Sequence, residues 1–357
     1  MAVTLSDVAR RAGVSEATAS RVLNGRRYVA AGTRIRVETA ARDLDYIPNR
    51  AARDLSMARA STVAVLLHHS QYPAHGEGTF SSRIVDAVSR ALRRRGYDML
   101  YVALDDAAAG RLAGLPAVRP SRSDGALVLG PAFAPEAVAA LHAAGPAVVT
   151  IDNRLPGIDT VLAGNQPAME ALTRHLTDEH GYTRLGCLAG PARWPSTAER
   201  VAGIRRQVRR AGAALEVIHA GETTMREGAD HVDRLLPSRP EAVMAVNDAL
   251  AIGAMHRLRS VALTLRPSIT GFDDIAWSRL TDPPLTTVAV DATAMGEAAV
   301  ELLLTRIETA DDADLPAREV RVPATVVLRR SCGCNERARS PSTRTSRGRT
   351  TRAYQPV

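Results

Sequence analysis

The chain has no lysine: all 46 of its Lys and Arg residues are arginine. That absence is compositional and excludes no function. The three cysteines, Cys187, Cys332 and Cys334, are too few for a disulfide framework, which agrees with a reducing compartment. The Cys332-Gly333-Cys334 pair could hold a metal, but no histidine or further cysteine lies near it in sequence, so all three read as ordinary thiols and no metal is expected. No apolar run reaches the roughly 20 residues a membrane-spanning helix needs. Met1 leads directly into an amphipathic helix without a basic or apolar leader, so the cytoplasm is the expected location. No Gly-rich phosphate loop, metal-ligand cluster or nucleophile elbow occurs, so neither an enzyme nor a cofactor is expected.

What is present is charge at the ends. Residues 1–60 hold eleven Arg against six acidic residues, and residues 335–357 hold six Arg against one Glu, a net of +5 each. With a total of +8, the stretch 61–334 is left at −2. A basic head on a near-neutral body suits a nucleic-acid-binding domain joined to a sensor, because phosphate neutralisation supplies most non-specific affinity. A length of 357 residues and 45% apolar content allow two or three domains with substantial cores.

The first two dozen residues carry the sharpest pattern. Leu5, Val8, Ala9 and Ala12 form one helical face, Gly13 supplies a tight turn and Val14 closes it. Ser15 reads as an N-cap of a second helix that buries Ala19, Val22 and Leu23 and presents Glu16, Ala17, Ser20 and Arg21. Such a helix-turn-helix suits the DNA major groove, which admits one helix. Side chains of Arg26, Arg27 and Tyr28 could reach phosphates. Thr33 is read as the cap of a third helix, Arg34 to Leu44, with Ile35, Val37, Ala41 and Leu44 inward. Pro48 then precedes a helix-capable run, Asn49 to Met57, of about nine residues, below the 12 to 15 at which isolated helices become marginal.

From Thr62 the texture alternates between short apolar runs and amphipathic stretches. Strands are expected at 63–67, 98–104, 124–129 and 147–151, with helices at 80–95 and 135–144. The pattern restarts with helices at 166–180, 197–211, 226–236 and 250–258 and strands at 184–189, 216–219, 242–246 and 268–272. Strand, helix, strand with right-handed crossovers predicts two doubly wound parallel-sheet lobes with a cleft at their carboxyl strand ends. Residues 335–357, rich in Ser, Thr and Arg, read as a disordered basic tail.

The Ser20-Arg-Val-Leu-Asn24 stretch and the Tyr46-Ile-Pro-Asn49 hinge resemble the head of the lactose/galactose repressor (LacI/GalR) family of bacterial transcriptional regulators. The motifs Glu199-Arg200, Val246-Asn247-Asp248, Gly271-Phe-Asp-Asp274 and Pro283-Pro-Leu-Thr-Thr287 resemble the periplasmic-binding-protein-like core of the same family. The resemblance implies an all-α helix-turn-helix head (residues 1–46), a hinge and linker (47–61) and an α/β bilobed core (62–334). The first lobe would hold about 62–161 and 291–318, and the second about 162–290 and 319–334. Helix 294–306 would return to the first lobe and strand 319–329 to the second.

By the same resemblance Leu5, Ser15, Thr18, Asn24 and Thr33 position the DNA backbone, while Glu16, Ala17 and Arg21 face bases. Tyr46, Asn49, Ala52, Leu55 and Ser56 would form a hinge that pairs in the minor groove. The expected protein is a cytoplasmic repressor acting as a homodimer, or a tetramer, on a palindromic double-stranded operator, allosterically governed by a sugar or nucleoside-like effector. Arg200, Asn247 and Asp273, with Asp152, offer donors and acceptors for ligand hydroxyls, and Phe80 and Trp194 could stack on an apolar ligand face. Trp277, His68 and His69 are weaker candidates for the same cleft. Arg200 and Asp273 could instead pair to tie the lobes, and Asp248 could cap its helix. Gly164 stands where an Asp is common in the family, so a lobe-crossing hydrogen bond is expected to be missing. The alternative reading, a sugar-binding transport component, has no use for residues 1–57.

Overall fold

The computed structural model describes residues 3–23, 29–46, 59–69, 79–262, 266–309 and 315–334. Among the described residues the head has three helices, α1 (Leu5–Ala12), α2 (Glu16–Leu23) and α3 (Ala31–Asp43). Thr4 and Asp7 cap α1 reciprocally, and the helix ends on Gly13 at φ 64°, a left-handed conformation that costs glycine nothing. Val8, Ala9, Ala12, Ala19, Val22, Val37, Ala40 and Ala41 form the head core, with Leu5, Leu44 and Tyr46 packed at its margin. Two expectations for α3 fail. The helix starts at Ala31 without a side-chain cap, so Thr33 lies inside its first turn, and Ile35 is 63% exposed because Val37, Ala40 and Ala41 fill the small core first.

The first lobe is a six-stranded parallel sheet in the order β11-β5-β4-β3-β1-β2. Its strands are β1 (Thr62–His68), β2 (Asp98–Leu104), β3 (Gly125–Leu129), β4 (Ala147–Ile151), β5 (Asp159–Ala163) and β11 (Glu319–Val322). Both faces are covered: Val63, Val65 and Leu67 of β1 join one hydrophobic cluster while Ala64 and Leu66 join the other. Burial on both faces is why the inner strands β1, β3 and β4 read as continuous apolar runs, whereas the edge strands β2 and β11 are only partly buried. Helices α4 (Phe80–Arg94) and α5 (Pro135–Ala143) connect them.

The second lobe is a four-stranded parallel sheet, β7-β6-β8-β9. It comprises β6 (Arg184–Ala189), β7 (Ala214–His219), β8 (Ala242–Ala245) and β9 (Ser268–Thr270). Helices α6 (Asn165–Arg174), α7 (Pro195–Ala211), α8 (Met225–His231) and α9 (Asp248–Arg259) belong to it. The expected helix 166–180 is interrupted: after Arg174 a π turn spans His175–Glu179. The expected helix 226–236 tightens to a 3-10 turn from Val232.

Three chain crossings join the lobes, after β5, between β10 (Thr287–Val290) and α10 (Ala292–Glu308), and between β11 and β12 (Ala324–Val327). The expected single strand 319–329 is therefore two. Its first half pairs with β5 in the first lobe and its second half pairs antiparallel with β10, because Pro323 cannot donate to a continuous ladder. Strand β5, read only as a lobe boundary in the sequence, is fully buried. Asp159 at its start accepts both arms of Arg306 at 2.9 Å and the backbone N–H of Arg318 at 2.6 Å, which fastens α10 and β11 to the first lobe. Among the described residues no helix is long and apolar enough to cross a membrane.

Candidate effector cleft and DNA-reading head

Each sheet reverses its strand order beside its first strand, between β1 and β3 and between β6 and β8. Doubly wound sheets bind ligands at the carboxyl ends of strands at such reversals. Loops leaving those ends line a cavity of ≈ 520 Å³. The first lobe supplies Thr79, Phe80, Ser81, Pro131 and Asp152. The second supplies Trp194, Ser196, Thr197 and Arg200, the turn Glu222 to Arg226, then Val246, Asn247, Ala249, Asp273, Ile275 and Trp277. All six residues named from the sequence as effector contacts, and Trp277, line this one cavity. The volume suits a small metabolite.

Arg200 is the cleft's fixed cation. Its Nε donates to Asn165 Oδ1 at 2.8 Å, its Nη1 to the Val246 carbonyl at 2.7 Å, and its guanidinium lies 3.8 Å from the centre of the Phe272 ring. Asn165 is itself held by donating to Glu199 Oε2 at 3.1 Å. Sequence reading places Asn165 only as the neighbour of Gly164, since nothing local shows that it aims the arginine. Arg321 of β11 pairs with Glu199 at 2.9 Å, so the network reaches the first-lobe sheet. That pair joins the lobes beside Gly164, whose own N–H is taken by the Val322 carbonyl.

Asp273 lies 3.5 Å from Arg200 Nη1. Both residues belong to the second lobe, so the pair does not tie the lobes together. Arg83 of α4 does so instead, donating to the carbonyls of Asp273 at 3.3 Å and Asp274 at 3.2 Å. Asp152 and Asp273 both sit at positive φ, 58° and 107°, unfavourable for residues with a side chain and costing on the order of 1–3 kcal/mol each. Asp152 Oδ1, Asp273 Oδ1 and Trp194 Nε1 are buried without a hydrogen-bond partner. Burial pushes the Asp152 carboxyl up to about 6 against the pull of Arg200, and the Asp273 carboxyl up to about 7 against the same pull. Desolvation is the largest effect in each case, outweighing Arg200 and Arg83 at Asp273 and Arg200 and the Ser196 hydrogen bond at Asp152, and the like charges of Asp152 and Glu199 respectively add to it.

Asn247 caps α9, accepting from Leu250 N at 2.9 Å, and its amide donates to the Thr223 carbonyl at 2.9 Å. Its place in the cleft is thus rigid, and one N–H and one lone pair of the amide are left for a ligand. The capping role expected of Asp248 belongs to Asn247. Asp248 is fully buried, accepting from Ile275 N at 2.9 Å and from the Thr287 hydroxyl at 2.5 Å. Asp248 thereby secures the turn that carries Asp273.

Met225, Thr223 and Thr224 enter the cleft because α8 crosses α9 at backbone distance. A Cβ on Gly253 would lie 1.8 Å from the Met225 carbonyl oxygen. Sequence reading missed this turn, since nothing local marks it as a cleft wall. His68 and His69 are not among the lining residues; His68 Nε2 pairs with Asp106 Oδ1 at 2.8 Å.

In the head, Ser15 Oγ accepts from Thr18 N at 3.2 Å and bonds the Thr18 hydroxyl at 2.9 Å, which caps α2. Glu16, Ala17 and Arg21 are exposed on that helix, with Thr18 and Ser20 half-buried beside them. Leu5 and Tyr46, expected at DNA, are half-buried at the margin of the head core. Asn24, Tyr28, Asn49, Ala52, Leu55 and Ser56 lie outside the described residues.

A three-helix head with an exposed helix-turn-helix face, carried on a bilobed body with a polar cleft, defines the class of ligand-responsive DNA-binding transcriptional regulators. Residues 4–49 match bacterial regulatory proteins of the lacI family, and residues 173–332 match a periplasmic binding protein-like domain. The chain is 31% identical over 326 residues to the ribose operon repressor of Escherichia coli (strain K12), covering 85% of this chain and 93% of the repressor. It is 30% identical over 315 residues to the HTH-type transcriptional repressor CytR of the same strain, covering 86% and 90%. It superposes on the lac repressor dimer bound to operator and the anti-inducer ONPF with TM-score 0.78 and 26% identity, covering 93% of this chain and 99% of that one. The chain belongs to the lacI family of bacterial regulatory proteins, and its relatives are DNA-binding repressors, not enzymes.

Proposed function

We propose that this protein represses transcription in the cytoplasm by binding a two-fold-symmetric operator as a homodimer, and that a polyhydroxylated metabolite in the cleft sets its affinity for DNA. The observation that carries the effector half is the pair of buried carboxylate oxygens that lack a hydrogen bond, Asp152 Oδ1 from the first lobe and Asp273 Oδ1 from the second, the latter in ion-pair range of Arg200. Buried acceptors without donors cost about 1–3 kcal/mol each, a penalty that ligand hydroxyls spanning both lobes would remove. Trp194 and Phe80, both in the cleft wall, would stack on the ligand's apolar face. Because the two aspartates belong to different lobes, a ligand that satisfies both favours lobe closure, and closure would change the spacing of the paired hinges, residues 47–61.

The DNA half rests on the exposed α2 face, Glu16, Ala17 and Arg21, and on the relatives' role as repressors. Ser15, Thr18 and Ser20 would hold phosphates around it, and Leu55 would wedge the central base step. A thermal-shift screen of sugars and nucleosides, followed by operator footprinting at fixed salt, tests both halves. The expected hit raises Tm for the wild type and not for Asp273→Ala, and Leu55→Ala weakens operator binding. A hit that survives Asp273→Ala, or protection of a site without two-fold symmetry, would sink the proposal.

A further inference from the structure

The metal reading discarded on sequence grounds returns in three dimensions. His175 opens the π turn that follows α6 and His180 caps it, and they meet Cys332 and Cys334 at the end of the body, about 150 residues away in sequence. The two imidazole Nε2 atoms are 3.1 Å apart. Cys334 Sγ lies 3.4 Å from His175 Nε2 and 3.5 Å from His180 Nε2, and Cys332 Sγ lies 3.6 Å from His175 Nε2. All four ligand atoms fall within 4.8 Å of one another. A tetrahedral zinc with bonds of about 2.0–2.1 Å to nitrogen and 2.3 Å to sulfur has N···N edges near 3.4 Å and N···S edges near 3.6 Å. Four separations thus match the edges of one coordination sphere to within a few tenths of an ångström.

We infer that His175, His180, Cys332 and Cys334 form a structural zinc site that clips the end of the body to the second lobe. The spacing supports it: His-x4-His falls in the range of zinc-binding histidine pairs, and the Cys-x-Cys turn, one residue tighter than usual, is carried by Gly333 at φ 96°. The outer shell is also arranged for a thiolate. The Thr286 hydroxyl accepts from Arg329 N at 2.8 Å, which directs its own proton to Cys332 Sγ at 3.1 Å. His180 stacks on Tyr182, whose hydroxyl bonds Ser268 of β9 at 2.9 Å, so the ring orientation is set from the sheet. Two soft thiolates and two imidazoles favour zinc over magnesium or calcium. The site is remote in composition from the effector cleft and shares no residue with it.

The test uses full-length protein purified with reductant and without chelator. Elemental analysis should find about one zinc per chain, and cobalt substitution should give tetrahedral d–d bands with a thiolate charge-transfer band. Chelation should lower the wild-type Tm by several degrees. Cys334→Ser, at a half-buried position, and His180→Ala should each bind zinc at least about tenfold more weakly and show no chelator-dependent Tm. Should either variant fail to fold, the cobalt spectrum of the wild type still reads the thiolate ligands. Wild-type protein that takes up no zinc in titration, variants that bind it equally well, or a Cys332–Cys334 disulfide in the reduced preparation would each overturn the inference.

Discussion

Effector binding should strengthen steeply with pH across the neutral range. Asp273 and Asp152 are raised to about 7 and about 6 because burial penalises their charged forms, yet the ligand-facing oxygens accept fully only when ionised. Ligand hydroxyls donating to them stabilise the ionised forms, so binding releases protons. At these values Asp273 is ionised in roughly 3% of molecules at pH 5.5 and about 90% at pH 8, and Asp152 in about 25% and nearly all. Affinity should therefore rise about thirtyfold through Asp273 and about fourfold through Asp152, roughly a hundredfold together. Ligand-free stability should move the other way. A carboxyl whose folded pKa lies above its unfolded value near 4 binds more protons when folded, so its contribution is fully present below about pH 4 and is lost as pH rises towards 7. Titration calorimetry in two buffers of different ionisation enthalpy, at pH 5.5, 6.5 and 8, reads both the affinity and the proton release. Constant affinity over that range, proton uptake on binding, or an unchanged pH slope in Asp273→Asn would refute the reasoning.

Arg200→Lys should weaken effector binding about ten- to hundredfold while leaving the fold intact, since a single ammonium cannot serve Asn165, Val246 and Phe272 together; calorimetry with far-UV circular dichroism checks it. Asp159→Ala leaves the Arg306 fork without its buried acceptor and should cost about 3–5 kcal/mol, seen as a Tm drop of about 10 °C by scanning calorimetry. Gly253→Ala pushes α8 from α9 and should weaken effector binding by displacing Met225 and Thr224, at a stability cost of about 1–3 kcal/mol; a binding isotherm indistinguishable from wild type would show that the α8 turn is not a cleft wall.

Much of this architecture was legible because it is written in short-range pattern. The Gly13 turn, the Ser15 cap and the strands at 98–104, 147–151 and 184–189 each depend on residues within a few positions of one another. What misled were competitions between neighbours. Ile35 is the larger residue, yet Val37, Ala40 and Ala41 sit where α3 meets α1 and α2. Asp248 looks like a cap, but Asn247 stands one residue earlier and takes the Leu250 N–H, which frees Asp248 to hold Ile275 and Thr287. The run 319–329 looks like one strand, but Pro323 divides it between two sheets.

The sequence by itself determined the helix-turn-helix head, the two α/β repeats and the residue types of the cleft, because hydrophobic period, caps and turn residues act locally. Only the tertiary structure decided which of those residues meet. Asn165 aims Arg200, Arg83 rather than Arg200 bridges to the Asp273 loop, and two histidines beside a π turn face a Cys-Gly-Cys pair some 150 residues distant. Those relations depend on how the chain crosses three times between its lobes. Such crossings bring together residues whose separation leaves no trace in any local pattern.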